Sequence, residues 1–199
     1  MADIDKDQVV SLDRPSIIAP TAAWSERAAT LIIVLRARLG DLAERVDHIG
    51  STAISDMAAK DVLDIQVSVS SLQTSAPVFD GALGALGFRR SPYESDHIPV
   101  GRSDDPAVWA KRLWLRRGHP EGDVNLHVRR NGSPNERLAL LFRDWFRAHP
   151  DAVPAYAAFK VALAAISPDT DTYTEVKDPV VDLVITIAET WASCIGWQP

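Results

Sequence analysis

Three short-range features of the chain could do chemistry together: a Gly50-Ser51-Thr52 break after an apolar run, Asp64 in the next run, and a row of polar residues further on. The run Val62-Leu-Asp-Ile-Gln-Val-Ser-Val is a strand by its length and β-branched content. A glycine-serine break between two strands, with a carboxylate on the second, is how a phosphate-handling site is built. Glycine lets the backbone approach an anion closely, the free amides of the following turn point at it, and the serine hydroxyl adds a donor. The same residues equally make an ordinary tight strand-to-helix turn capped by serine. Asp64 must be paired, hydrogen-bonded or metal-bound, because an isolated carboxylate in so apolar a strand is costly. Side chains alternate along a strand, so Gln66 shares the face of Asp64 and Asp61 takes the other. Asp64 is therefore a metal ligand or one half of a structural ion pair with a nearby Arg or Lys.

A second polar face comes from Asp123-Val-Asn-Leu-His-Val-Arg129, in which Asp123, Asn125, His127 and Arg129 alternate with Val124, Leu126 and Val128. In the neighbouring strand Lys111 and Arg112 are adjacent, so one of them points to the side of His127, where a cation suits a phosphate or carboxylate ligand. A strand with one solvated face explains the same pattern. No G-x-S-x-G elbow, Walker sequence or dinucleotide fingerprint is present; Gly81, Gly84 and Gly87 lie in or at the end of a helix.

The elements that must position these residues follow from periodicity and caps. A helix is expected from Thr21, as N-cap, to about Leu39 with Gly40 ending it, then a strand over 42–49, a small-residue helical turn, and the strand 62–69. A short strand over 9–12 or 17–18 would precede them. A helix over 76–86, a short strand from Phe88, a long polar loop, and strands over 109–116 and 123–129 come next. Ser133-Pro134 with Glu136 reads as a capping box opening a helix over 135–148, followed by helices over 153–165 and 179–191. The order implies one α+β domain over 1–199, with a mixed-sheet core at about 14–130 and a helical part at about 133–197.

Bulk properties narrow the function. The chain has 199 residues and a formal charge of −6, which argues against a broad duplex-DNA footprint. One cysteine, Cys194, excludes an internal disulfide and a cysteine zinc cluster, and the five histidines lack metalloprotease spacing. No apolar run approaches the roughly 20 residues of a membrane helix, and the polar N-terminus is unlike a secretory signal. A cytoplasmic protein without membrane partners is expected.

The residues His48-Ile-Gly-Ser-Thr-Ala, Ala58-Ala-Lys60 and Asp64-Ile-Gln-Val resemble the signature of the GrpB family, whose fold is nucleotidyltransferase-like. Asn125-Leu-His-Val-Arg, Gly132-Ser-Pro, Leu141-Phe-Arg-Asp-Trp145, the pairs Tyr156/Lys160 and Tyr173/Lys177, and Trp191 with Gly196-Trp197 resemble in particular the domain fused behind the kinase in actinobacterial dephospho-CoA kinases. The resemblance implies that Gly50, Ser51, Thr52 and Lys60 hold nucleotide phosphates and that Asp64 binds Mg²⁺. Lys111 or Arg112, with His127, would then act on the transferred group, making Asp64 and His127 the catalytic pair. The chain departs from the pattern at Gln66, where a second metal-binding carboxylate belongs, and at Ser55-Asp56, where a proline-glycine pair is usual. A later strand offers Asn125 and His127 rather than a third carboxylate. The expectations are a pocket for a nucleotide or phosphorylated small molecule with Mg²⁺-dependent nucleotidyl transfer, or a non-catalytic folding-accessory domain with a protein partner such as a kinase. With no P-loop, phosphorylation of dephospho-CoA is not expected.

Overall fold

The computed structural model describes residues 14–199. The chain runs α1 (Ala23–Leu39), β1 (Arg45–Ile49), β2 (Val62–Val69), α2 (Leu72–Gly84), β3 (Arg89–Arg90), β4 (Lys111–Arg116), β5 (Asp123–Arg130), α3 (Pro134–Ala148), α4 (Val153–Ile166) and α5 (Thr170–Ile195). The five strands form one mixed sheet in the order β1-β2-β5-β4-β3. The β2–β5 pair is parallel and the other three are antiparallel. This is the α+β fold expected from the sequence, a mixed sheet flanked by helices and followed by a helical part.

Strict alternation gives the sheet two different faces. Leu63, Ile65, Val67 and Val69 of β2, with Val124, Leu126 and Val128 of β5, pack against Trp24, Leu31 and Leu35 of α1 and Phe79 and Leu83 of α2. On the opposite face lie Asp64, Gln66 and Ser68 of β2 beside Asn125, His127 and Arg129 of β5, because the register pairs Asp64 with Asn125, Gln66 with His127 and Ser68 with Arg129. The helical part covers this polar face. Its own core is Leu138, Leu141, Phe142, Trp145 and Phe146 of α3 against Tyr156 of α4 and Ile185 and Ala188 of α5.

Strand β2 and helices α3 and α4 lie where the sequence puts them; several boundaries do not. The strand considered over 9–12 lies outside the described residues, and that over 17–18 is a single antiparallel bridge from Ile18 to Ala59. Helix α1 has Ala22 rather than Thr21 as N-cap, and β1 starts at Arg45 because Gly40–Leu42 make a 3-10 turn. Trp109 belongs to a 3-10 turn capped by Asp105, not to β4. Helix α2 starts at Leu72, capped by the Ser71 hydroxyl accepting from the Thr74 amide. Helix α5 starts at Thr170, because Asp169 Oδ1 accepts from the Thr172 amide at 2.7 Å and Pro179 sits inside the helix. The capping box does not form. The Ser133 hydroxyl turns to the Arg130 carbonyl and Asn135 Oδ1, while Glu136 reaches across to accept from the Ser68 hydroxyl at 2.8 Å.

Candidate functional site

Gly50 follows β1 with φ 68°, and the antiparallel register sets Ile49 opposite Asp64. A Cβ at position 50 would stand 2.5 Å from Asp64 Oδ2. Glycine is therefore required twice, for the left-handed backbone and for the approach of the carboxylate. Ser51–Ala53 continue as a single 3-10 turn. The buried Thr52 hydroxyl and His48 Nε2 share a hydrogen bond of 2.9 Å that fastens this turn to β1. Burial of His48, reinforced by Arg147 and Arg143 and opposed by Asp64, pushes its imidazole down to about 4, so it is neutral at neutral pH.

Asp64 is held from β5. Asn125 Nδ2 donates to its Oδ1 at 2.8 Å and His127 Nε2 lies 3.3 Å from the same oxygen. Burial pushes the Asp64 carboxyl up, but the hydrogen bonds from His127 and Asn125 and the charge of Lys177 outweigh it and hold the carboxyl at about 2. Arg129 Nη2 lies 3.4 Å from His127 Nδ1. A guanidinium can only donate, which puts the imidazole proton on Nε2, facing Asp64. Burial and the Arg129 charge also lower the imidazole's proton affinity. His127 thus orients Asp64 and has no free ring nitrogen for a bound ligand, in contrast to the catalytic role expected for it.

The serine of the turn meets a residue from far along the chain. Lys160 Nζ of α4 donates to Ser51 Oγ at 2.9 Å. Lys160 is 2% exposed, and its ammonium lies over the Tyr156 ring at 5.3 Å. Burial, together with the charge of Lys177, lowers its amine to about 7 against the pull of Asp64. Lys60, between the turn and β2, lies over the Tyr173 ring at 5.4 Å, and burial and Lys177 lower its amine too. Lys177 of α5 completes the set. Gly50, Ser51, Asp64 and the three lysines line one cavity of about 410 Å³, whose apolar wall includes Leu138, Phe142 and Ile185.

The remaining expected site residues separate. Lys111 faces the side of His127 and Arg129 but donates to Asp96 Oδ1 at 2.6 Å. Arg112 stands opposite Val128 on the other face, within 3.3 Å of Glu94, so it does not belong to the site. Gln66 is fully buried, with Oε1 accepting from Arg129 Nη1 at 2.6 Å and Nε2 donating to the Glu136 carbonyl at 3.2 Å. A hard divalent cation wants several anionic oxygens. On the strands only Asp64 is offered at the turn, with one of its oxygens already accepting twice, and among the described residues no cluster of three or more His, Cys, Asp or Glu could hold a metal. These residues do not fit the Mg²⁺ centre the resemblance implies.

The residues overlooked as ligands are Lys160 and Lys177. Each follows a tyrosine by four residues, Tyr156/Lys160 and Tyr173/Lys177, a spacing that puts both members on one helix face. That pattern was available in the sequence; what it faces was not.

A family model described as GrpB protein matches residues 14–186. A dephospho-CoA kinase of Mycolicibacterium paratuberculosis is 36% identical over 92% of this chain and 48% of its own length. The UPF0157 protein YqkA of Bacillus subtilis is 32% identical over 73% of the chain and 39% of that protein. The chain spans about half the length of the first of these relatives, and less of the second. The crystal structure of a conserved GrpB protein from Enterococcus faecalis superposes with a TM-score of 0.71 at 23% identity, covering 88% of this chain and 99% of that one, and shares the fold. No helix among the described residues is long and apolar enough to cross a membrane.

Proposed function

The chain belongs to the GrpB family, and we propose that its nucleotidyltransferase-like core carries a nucleotide- or phosphate-binding pocket that needs no intrinsic metal centre. The observation that carries this reading is Lys160 Nζ on Ser51 Oγ at 2.9 Å, in a cavity shared with Lys60 and Lys177. Lys160 is buried, with Lys60 and Lys177 half-buried beside it, and a buried cation is normally paired. No Asp or Glu oxygen forms an ion pair with any of these three lysines among the described residues. An anionic ligand completes such a cluster. Ser51 and the lysines donate to that anion, the apolar wall takes the uncharged remainder, and Gly50 serves to seat the Asp64 carboxylate beside the turn. Asp64, fixed by Asn125 and His127, lines the same cavity beside Gly50. Nucleotidyl transfer through two metal ions is not part of this reading, since it needs anionic ligands that positions 66, 125 and 127 do not provide.

Thermal unfolding with nucleoside mono-, di- and triphosphates tests the pocket. A ligand at one hundred times its Kd adds about 2.7 kcal/mol to stability, and a rise in Tm that persists in EDTA is expected. Lys160→Met removes that rise. No shift with any nucleotide overturns the pocket, and a shift that requires Mg²⁺ overturns the metal-free reading.

A second reading has an observation of its own. The match to relatives named as dephospho-CoA kinases covers only about half of their length, which fits a folding-accessory domain for a kinase. Co-expression with a dephospho-CoA kinase lacking its own C-terminal half is the measurement. More soluble kinase supports this role, and no gain rejects it.

A further inference from the structure

The three lysines arrive from three separate elements, Lys60 from the segment before β2, Lys160 from α4 and Lys177 from α5, and meet the Ser51 hydroxyl in one cavity. Their present partners are uncharged. Lys160 has the serine oxygen and the Tyr156 ring, Lys60 has the Tyr173 ring, and no hydrogen bond or ion pair to the Lys177 ammonium is found among the described residues. The charges acting on Lys160 are Lys177 on α5 and Asp64 on β2, and Lys60, Asp96, Arg129, Asp178 and Asp182 line the same cavity, with Asp96 taken up by Arg129 and Lys111 and Asp182 by the Val100 amide and His97. Asp64 is already engaged by Asn125 and His127. Three lysine amines and a hydroxyl thus converge on one cavity with no direct carboxylate partner to any of the amines among the described residues.

Resting on the pocket reading above, we infer that the ligand presents a terminal phosphate monoester, and that binding this dianion places a proton on Lys160. A monoester offers three unsubstituted oxygens and two negative charges to the cluster, whereas a diester offers two oxygens and one charge. Before binding, burial and the neighbouring Lys177 hold the Lys160 amine at about 7. A dianion reverses that balance because an opposite charge at contact distance favours the ammonium form. The proton comes from solvent, Lys160 Nζ gains it, and no covalent bond to the ligand is made or broken. The uncharged amine lowers the electrostatic cost of the empty pocket, and the ligand restores the charge only when it supplies the counterion.

Calorimetry at pH 7.5 with adenosine 5′-monophosphate and cyclic 3′,5′-AMP, each in PIPES and in Tris, reads both parts. The base, ribose and phosphorus are shared, and the second probe is a diester with one charge fewer. The monophosphate is expected to bind at least tenfold more tightly. It should take up about 0.8 proton per site, the fraction of an amine titrating near 7 that is uncharged at that pH, seen as a heat that differs between the two buffers. Lys160→Met, which replaces the buried amine by an apolar chain of similar length, loses the proton uptake and most of the preference. Lys160→Arg, always charged, keeps a preference without uptake. Equal affinity for the two probes, heats independent of buffer, or no binding of the monophosphate where other nucleotides bind each overturns this inference and leaves the pocket standing. No binding by any nucleotide overturns the pocket itself.

Discussion

Two adjacent layers of the same sheet face treat buried charge in opposite ways. In the layer built around Gln66, both buried cations are paired to one carboxylate. Arg129 donates through Nε to Asp96 Oδ2 at 2.7 Å and through Nη1 to Gln66 Oε1 at 2.6 Å, Lys111 donates to Asp96 Oδ1 at 2.6 Å, and Asn135 Nδ2 closes the network on Asp96 Oδ2 at 2.9 Å. Burial pushes the Asp96 carboxyl up, yet Arg129 and Lys111 hold it far below the usual carboxylate range. In the layer one step along β2, built around Asp64 and Ser51, the buried Lys160 and the half-buried Lys60 and Lys177 share a cavity with no ion-pair partner among the described residues. The first layer is a closed network that joins the loop before β4, β4, β5 and α3. The second is open, and what it lacks is an anion. Paired buried charge fixes the fold, and the buried Lys160, without a carboxylate partner among the described residues, points to a ligand.

The largest effect should come from breaking the closed layer. Asp96→Ala leaves Arg129 and Lys111 buried without their carboxylate, and removing one partner of a buried pair costs about 3–5 kcal/mol. Urea denaturation measures it. The matching change in the open layer, Lys160→Met, should alter stability by less than about 1 kcal/mol in either direction, because it replaces a buried amine by apolar volume. If the two variants lose similar stability, the distinction between the layers is wrong.

Next in size is Gly50→Ala. It forces a side chain into a left-handed backbone and within 2.5 Å of Asp64 Oδ2. A cost of about 2 kcal/mol is expected from the strain and the displaced carboxylate, along with loss of any ligand-induced rise in Tm. A variant that keeps full stability and ligand response would show that the turn does not depend on this contact.

What the sequence made legible follows from how local each signal was. The β-branched run placed β2 at residues 62–69, and period-two alternation located the polar face of β5 to within a residue, since a strand with two different environments writes them directly into the chain. Asp64 was recognisable because a carboxylate among Val, Leu and Ile needs a reason. The start of α5 was not, because Thr170-Asp-Thr-Tyr-Thr-Glu is polar and Pro179 imitates a first-turn proline. The false capping box failed for a long-range reason, as Glu136 is drawn to Ser68 on β2. Lys160 was invisible as a partner of Ser51 because 109 residues separate them. The same distance problem hid Asp96, which sits in an irregular loop and becomes the centre of the closed layer only once β4 and β5 are side by side.

Gln66→Glu tests whether the closed layer can be converted into a metal ligand. The substitution supplies the missing carboxylate two residues after Asp64, but Arg129 Nη1 already claims that oxygen at 2.6 Å, and the lost amide leaves the Glu136 carbonyl without its donor. The charge gained against Arg129 partly offsets that loss, so a net cost of about 1–2 kcal/mol is expected. Mg²⁺ should produce no rise in Tm. A Mg²⁺-dependent rise in this variant would show that position 66 belongs to the site rather than to the scaffold.

The smallest effect concerns the turn that carries Ser51. Burial holds the His48 imidazole at about 4 in the fold, against roughly 6.5 in an unfolded chain. Between these values the unfolded state binds the extra proton, so stability falls as pH drops from 6.5 toward 4 and is unaffected by this group above 7. His127, whose proton affinity is also lowered, adds a slope of the same sign, while Asp64 contributes only as pH falls from about 4 toward its value of about 2. Replacing His48 by Gln keeps a polar group near Thr52 and removes the titration. The difference between parent and variant should therefore change by about 1 kcal/mol between pH 7 and pH 5.5. Because His48 supports the open layer through Thr52 and has no side-chain hydrogen bond to the closed one among the described residues, Asp96→Ala should leave that difference unchanged. If it does not, the two layers are coupled through the sheet and open as one unit.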